Sequence, residues 1–395
     1  MKYLSKHILV ADTILEQYNM QEPFPIFLKK YFRQHKKHGS KDRYQISNIC
    51  YGFFRLAHVL TGYSLREIYD TVCFLMDSSP FHTTTKDQLP MAGMECNTVA
   101  ERVRLFQAIE PRFLVEKMFP LSDQVGKLQD TPTFFLSHLC RPNVFIRSRP
   151  NCEQKITDQL LDLKTPFEKL SGSCFSFQHG ISLEEMPGIN KTFVIQDYAS
   201  QQTGLWLTKA KNYLSAGRLQ VWDCCAASGG KSILAADYIQ NMELTASDLR
   251  DGILKNLSWR LKKAEIPHYR TQKIDLIKPV EGQVGWQKEC FDLIICDAPC
   301  SGSGTWSRQP EWLSYFDINQ LTGYNEKQRT ILGNALPYLK TNGIILYITC
   351  SVYWKENEGM VEFLEKTHQL KVVEASYIEG GMRKADTMFC AILRK

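Results

Sequence analysis

Two cysteines stand in matching settings. Cys300 lies in "FDLIICDAPCSGSG" and Cys350 in "IILYITCSVYWKENEG", each just past an apolar, strand-like run that ends in a polar turn. A pair of thiols placed this way suggests a reaction that needs two sulfurs, and a pyrimidine base as substrate would give both a use. Carbon 5 of cytosine is too weak a nucleophile to attack a sulfonium methyl unaided, but a thiolate adding to carbon 6 makes the ring enamine-like at carbon 5. After methylation the carbon 5 proton and the enzyme sulfur must both leave, and a second thiol can help. Neighbouring strands lie ~4.8 Å apart, so thiols at the mouths of adjacent strands could reach one flat ring together. Asp297, three residues before Cys300, could meet the base's ring nitrogen. Lys231 could hold that acid and lower a thiol pKa. The residues alone do not decide which cysteine attacks. A zinc site would want C-x-x-C pairs with further Cys or His, and Cys290, Cys296 and Cys300 lack both spacing and histidine, so no metal is expected.

Lys231 belongs to a second turn, "DCCAASGGKS", which follows the strand-like "RLQVWDCC". Paired glycines there let a backbone approach a ligand and open a helix. The turn is neither G-x-G-x-x-G nor a full phosphate-binding loop, because Cys225 stands where that loop needs glycine. Small residues beside a methionine carboxylate and sulfonium are the remaining reading, a site for S-adenosylmethionine (AdoMet). Asp248, Asp275 and Asp297, expected to close the next three strands, could accept hydrogen bonds from ribose hydroxyls and an adenine amino group.

These turns need elements to carry them. From Gln196 onward, strands ("RLQVWDCC", "ELTASD", "TQKIDL", "FDLIICD", "GIILYIT") alternate with helices such as "KSILAADYIQ" and "NEKQRTILGNALPYLK". That alternation predicts a parallel sheet covered on both faces, with ligands outside the strands' carboxyl ends. Residues 1–125 read as helical: "YQISNICYGFFRLAHVL" has helical spacing, Ser40 is the expected N-cap, and "TVAERVRLFQAIEPRFLVEKMF" is similar. The stretch 78–98 reads as a polar loop, and 126–195 as a small α/β subdomain with strands "NVFIRSRP", "SCFSFQ" and "TFVIQD".

The 395 residues are 44% hydrophobic and 23% charged, which excludes wholesale disorder. No apolar run of transmembrane length and no signal-peptide core are seen, so a cytoplasmic protein with free thiols is expected despite 13 cysteines. The net charge of +6 arises in the first 150 residues, where "LKKYFRQHKKHGSKDR" groups Lys29, Lys30, Arg33, Lys36, Lys37, Lys41 and Arg43 around one acid, with Tyr31 and Phe32 interleaved. It is either a solvated helix face or a phosphate-contacting surface.

The series "VIQDYASQ", "DCCAASGGKS", "ASDLR", "KIDL", "DAPCSGSG" and "TCSVYWKENE" resembles the RsmB-type (Fmu/Sun) RNA 5-methylcytosine methyltransferases from about residue 130 onward, and "HGSKDR" is similar to their NusB-like leading domain. The resemblance implies a Rossmann-like class I AdoMet methyltransferase domain over 196–395, behind a helical NusB-like RNA-binding domain (1–125) and a small RNA-binding subdomain (126–195). It implies that Cys350 is the nucleophile, that Cys300 assists release and that Asp297 contacts the cytosine. It places AdoMet against Cys225, Ala226, Ala227, Ser228, Gly229, Gly230 and Lys231, with Asp248, Arg250, Asp275 and Asp297. Ser228 stands where the family often has proline. Asp386 and Thr387 stand where it often has Asp-Gly. No RNA-binding appendage is expected after Lys395, so target recognition is expected to fall to the first 195 residues. The implied partner is RNA, ribosomal RNA of the 16S small-subunit type ahead of transfer RNA, and the expected state is a monomer. Two other readings stay open: a non-catalytic RNA-binding assembly factor, and a DNA-type mechanism in which Cys300 of Pro299-Cys300 attacks. Trp306 and Trp312 could stack on a base or fill a core.

Overall fold

The structure is a computed structural model that describes residues 3–76, 96–178, 183 and 185–395. The expected loop at 78–98 lies almost wholly outside the described residues. The chain forms two compact units: Met1–Asp123 with Asp130–Arg141 and Thr305–Ile318, and Gln124–Gln129 with Pro142–Gly304 and Asn319–Lys395.

The first unit holds α1 (Leu4–Gln17), α2 (Phe24–Gln34), α3 (Ser40–Leu56), α4 (Leu65–Leu75), α5 (Val99–Ile109) and α6 (Thr131–Ser137). Reciprocal caps start two of them: Ser64 with Glu67 at α4, and Thr98 with Glu101 at α5. Ser40 is not the cap of α3 but its first residue. Gly39 precedes it, and its N–H donates to Asp42 Oδ2 at 3.2 Å. The helix expected through Phe119 stops at Ile109 and resumes only as a 3₁₀ turn over Val115–Met118, because Pro111 disfavours helical backbone at Glu110. Tyr31 and Phe32, expected among exposed bases, point into the core of this unit. Their lysine neighbours Lys29 and Lys30 are exposed.

In the second unit, β1 (Val144–Ser148), α7 (Glu153–Asp162), β2 (Glu168–Lys169), β3 (Cys174–Phe177) and β4 (Phe193–Ile195) form an antiparallel sheet in the order β2-β3-β1-β4, with α7 between its first two strands in the chain. Then come α8 (Tyr198–Lys211), β5 (Leu219–Asp223), α9 (Gly230–Tyr238), β6 (Met242–Asp248), α10 (Asp251–Lys263), β7 (Tyr269–Lys273) and β8 (Phe291–Asp297). The chain next lends the first unit α11 (Glu311–Tyr315). There Arg55 donates to the carbonyls of His138 and Ser307, and Phe24 N–H donates to Glu311 Oε1. The second unit closes with α12 (Ile318–Ala335), β9 (Leu339–Thr349), α13 (Glu358–His368), β10 (Lys371–Ile378) and β11 (Met388–Arg394).

The large sheet runs β10-β11-β9-β8-β5-β6-β7, parallel except for β11. Its central strands are largely apolar because both faces are covered, and their period of two sorts residues between them. Val221, Leu293, Ile295, Ile344 and Leu346 pack with α8, α9 and α10; Trp222, Ile294, Ile345 and Tyr347 pack with α12 and α13. This is the expected α/β architecture, behind a helical leading stretch. Strand order reverses beside β5, which opens a crevice beyond the strands' carboxyl ends. Among the described residues no helix is long and apolar enough to cross a membrane.

Candidate active site

The crevice at the strand ends is a cleft of about 410 Å³ lined by Cys224, Cys225, Ala227, Asp248, Arg250, Asp275, Asp297 and Pro299, among others. That volume is in the range of small-molecule sites. Its floor is the turn from β5 to α9. Gly229 there has φ +86°, and a Cβ on it would lie 2.5 Å from Leu257 Cδ1, so only glycine fits. The Gly229 N–H closes the turn onto Ala226 O at 2.8 Å. Ser228, in the place of the family's proline, is held from α10 instead: Arg260 Nη1 donates to its carbonyl and hydroxyl at 2.7 and 2.8 Å.

Asp248 and Asp297 end β6 and β8 as expected. Asp275 does not end its strand: β7 stops at Lys273, and Asp275 sits in the following turn, where its Oδ1 accepts from Ile277 N–H at 3.1 Å. It still faces the cleft. Asp248 is gripped by Arg250, whose backbone N–H and Nε donate to Oδ1 at 2.9 Å and whose Nη2 donates to Oδ2 at 3.0 Å. Burial works against its charge, but these donors outweigh it and hold the carboxyl below its ordinary range.

Asp223, at the end of β5, behaves in the opposite way. It is fully buried, accepts from Ser232 Oγ at 2.6 Å and leaves Oδ1 without a partner. Burial pushes its pKa up to about 7. Such an acid holds its proton more tightly folded than unfolded, so its stabilising contribution is whole below the unfolded value of 3.8 and is lost as pH rises through 7. Asp223→Asn protein is expected to match wild type near the low end of that window. Near pH 8 it is expected to be more stable by on the order of 2–4 kcal/mol, read from melting curves at the two pH values.

At the other end of the cleft, β8 and β9 pair in parallel with Asp297 opposite Ile348, so their turns leave the sheet side by side. Cys300 and Cys350 are both half-buried, with their sulfurs 3.3 Å apart. Lys231 Nζ donates to Asp297 Oδ2 at 3.0 Å and to Ser200 Oγ, on α8, at 2.8 Å. Burial opposes the Lys231 charge, yet Asp297 more than offsets it and the ammonium's pKa rises. All four expected catalytic side chains thus cluster at the carboxyl ends of adjacent strands and the first turn. The expected lowering of a thiol pKa is not found at Cys300, which is pushed well above its ordinary value by its hydrogen bond with Cys350 and by burial.

Sequence reasoning missed what lies behind the thiols. Glu356, fully buried, is ringed by Ser301, Ser351 and Gln328. Asn357 Nδ2 donates to Ser351 O at 2.8 Å, and its Oδ1 accepts from Thr349 Oγ1 at 2.5 Å. The "ENE" after the second cysteine was visible, but nothing local said that its acid points inward. Ser200 was missed too. Three thiols also meet nearby: the sulfurs of Cys224, Cys225 and Cys296 lie within 4.8 Å of one another, a set different from the one weighed as zinc ligands.

Thr387 replaces the family's glycine without opening the floor. Its N–H donates to Gly304 O at 2.9 Å, and Gly304 N–H donates to Cys350 O at 2.8 Å. A Cβ on Gly304 would sit 1.9 Å from Thr387 O. In the first unit, Lys29, Lys30, Arg33, Lys36, Lys37 and Lys41 are exposed, and Lys30 pairs with Glu22 at 2.7 Å. Arg43 is committed locally, with Nε donating to His38 O and its guanidinium over the Phe32 ring. Trp306 is a core residue of that unit, fully buried against Phe119 and Phe316.

Residues 215–391 match the family model described as 16S rRNA methyltransferase RsmB/F. This stretch is an RsmB/F-type methyltransferase domain. It spans β5 to β11 and contains Lys231, Asp297, Cys300 and Cys350, so the resemblance read from the motifs is borne out. "Ribosomal RNA small subunit methyltransferase B" of Vibrio cholerae is 31% identical over 223 residues, covering 54% of this chain and 49% of that protein. The match thus spans about half the length of that relative. A Coxiella burnetii protein named "Probable ribosomal RNA small subunit methyltransferase B" is 24% identical over 87% of this chain and 88% of its own. Among solved structures, PH0851 superposes with a TM-score of 0.68 at 18% identity, covering 99% of this chain and 98% of that one. NSun6 from Pyrococcus horikoshii with SFG gives 0.57 at 16% identity, covering 68% and 94%. These two likenesses support the fold alone.

Proposed function

We propose that this protein is an AdoMet-dependent RNA methyltransferase that forms 5-methylcytosine, with small-subunit ribosomal RNA as its target. The observation that carries the reading is the pair of sulfurs 3.3 Å apart, on the two turns that follow β8 and β9, the first of which begins at Asp297, the partner of Lys231. Binding alone requires neither thiol, and few other reactions require two. The names of the curated relatives point to ribosomal RNA.

The residues divide the work as follows. Gly229, Gly230 and the arginine-held Ser228 shape the cofactor turn, Asp248 and Asp275 offer carboxylate oxygens to ribose and adenine, and Arg250 fixes Asp248. AdoMet, once bound, supplies an electrophilic methyl group, and a relative of the same fold is known with SFG, an AdoMet analogue. Cys350 adds as the thiolate to carbon 6 of the cytosine, forming a C–S bond and pushing the ring's electron pair toward carbon 5. As charge accumulates on the ring nitrogen it takes a proton from water, and the Asp297 carboxylate, oriented by Lys231, accepts from the resulting N–H. Carbon 5 takes the methyl group and then gives its proton to water, and the ring nitrogen gives up its own as the sulfur leaves. Elimination of the Cys350 sulfur restores the aromatic ring, and Cys300 assists that release. The target base is drawn from a loop or flipped from its stack, since stacked neighbours cover the ring face on which the thiolate must add to carbon 6. The exposed lysines and Arg33 of α2, α3 and the segment between them are the phosphate contacts, with the small four-stranded sheet as a second RNA surface. A cytoplasmic monomer fits this role.

The test uses Cys300→Ala protein with AdoMet and total RNA or small ribosomal subunits from an unmodified source. Removing the release thiol is expected to trap a slow-migrating, nuclease-sensitive protein band on a denaturing gel. The band should vanish when Cys350 is also replaced, and sequencing the trapped RNA names the cytosine. No band with either substrate, together with no methyl transfer by wild type, would overturn the enzymatic reading. Loss of all methyl transfer in Cys300→Ala alone would point to the DNA-type mechanism instead.

A further inference from the structure

Ser301 and Ser351 each follow one of the site's cysteines, and they share one buried carboxylate. Glu356 Oε2 accepts from Ser301 Oγ at 2.6 Å and Ser351 Oγ at 2.5 Å. Its Oε1 accepts from Ser301 N–H at 2.9 Å and Gln328 Nε2 at 3.2 Å. Ser303 Oγ sits 3.1 Å from both hydroxyls and takes Val352 N–H at 2.9 Å. Tyr347 Oη, from β9, donates to the Glu356 backbone carbonyl at 2.7 Å. Burial raises the Glu356 pKa, and the hydrogen bonds from Ser301, Ser351 and Gln328 oppose that rise. Ser301 N–H and Gln328 Nε2 can only donate, and the two serine contacts of 2.6 and 2.5 Å fall in the range of hydroxyls donating to a carboxylate, so these bonds favour the ionised form against its burial.

This arrangement has two consequences for the thiols. The serines tie the turns after β8 and β9 to one anchor, so the separation of the sulfurs is set by hydrogen bonds rather than by loop packing. Moreover, the carboxylate is fully buried, so water screens its charge little on the side facing the half-buried Cys300. Cys300 is pushed well above its ordinary pKa, first by the hydrogen bond with Cys350, then by burial, and then by the charges of Cys350 and Glu356.

We propose that Glu356 is the positioning residue that makes the two thiols unequal: it clamps both cysteine turns at one separation and keeps the proton of the shared S–H···S contact on Cys300, leaving the Cys350 sulfur as the attacking atom. The proposal deepens the methyltransferase reading and rests on it for the meaning of "attacking". It supplies a physical reason for a choice that the residues of the sequence left open.

The test is read without RNA. Full-length wild type and Glu356→Gln are exposed briefly to iodoacetamide, and alkylation at Cys300 and Cys350 is quantified by peptide mass spectrometry. Wild type is expected to react chiefly at Cys350. In Glu356→Gln, which keeps the shape and removes the charge, the Cys300:Cys350 ratio is expected to rise about tenfold. Glu356→Asp, which keeps the charge and loosens the clamp, should leave the ratio within about twofold of wild type. A ratio unmoved in Glu356→Gln, or moved equally in both variants, would overturn the proposal. Should Glu356→Gln fail to fold, Ser351→Ala removes one donor from the carboxylate and is expected to raise the ratio about two- to threefold, an unchanged ratio again refuting it. Because labelling needs no methyl transfer, the ratio can behave as expected in a protein that never methylates RNA, which separates failure of this inference from failure of the function.

Discussion

Cys350→Ala protein is expected to transfer methyl groups to RNA at least about 10⁴-fold more slowly than wild type, while still binding AdoMet and melting at nearly the same temperature. The loss is large because no neighbour can take over. Without a bond to carbon 6, carbon 5 has no usable electron pair, whatever else the site supplies. Stability should be spared because the half-buried thiol gives way to a residue of similar size, and the backbone it belongs to is fixed independently. The Cys350 carbonyl accepts from Gly304 N–H, and Thr349 and Ser351 on either side are held by Asn357. Single-turnover transfer from labelled AdoMet is the measurement. Activity within about tenfold of wild type would mean that the attack comes from Cys300 or that no covalent adduct forms.

Lys231→Met should lower kcat by about 100-fold with a much smaller change in the KM for RNA. Lys231 is 7% exposed and makes two hydrogen bonds, one to Asp297 and one to Ser200. Methionine fills nearly the same space and removes only the charge and the donors. Asp297 then loses the partner that aims it, at the step where negative charge moves onto the ring nitrogen. Ser200→Ala, which leaves the ion pair but frees one side of the ammonium, is expected to cost only a few-fold. Steady-state kinetics on all three proteins provide the comparison. Equal kcat in Lys231→Met and wild type would remove both Lys231 and Asp297 from the proposed chemistry.

The parts of this site that were legible in the sequence share one property: each lies where an apolar run stops. Asp248, Asp297, Cys300, Cys350 and the glycine turn can all be placed by noting where strands end, because open α/β sheets gather function there. What was illegible depends on partners far away along the chain. Glu356 follows Cys350 closely, but half of its donors sit on Ser301, 55 residues upstream, and pairing at that distance leaves no local trace. The tryptophans after Cys300 looked available to a base because the glycine-rich turn is polar, yet the chain there crosses into the helical unit and Trp306 fills its core. Lys231 with Ser200 is a similar case, joining α9 to a helix that precedes the first parallel strand. The strand expected over "TQKIDL" runs past Asp275 because Ile274 and Leu276 are apolar, whereas β7 stops at Lys273 and those residues pack beyond it.

The pairing of Gly304 with both Cys350 and Thr387 also bears on how the protein matures. Thr387 immediately precedes β11, a strand made after β10 but placed between β9 and β10 in the sheet. Until β11 slides into that gap, the Gly304 carbonyl lacks its donor and the two thiol-bearing turns have only one side of their support. Such an insertion is non-local and slow compared with forming the helices. The cofactor turn is built from β5, α9 and β6, whereas the support of the thiol-bearing turns is complete only once β11 is in place.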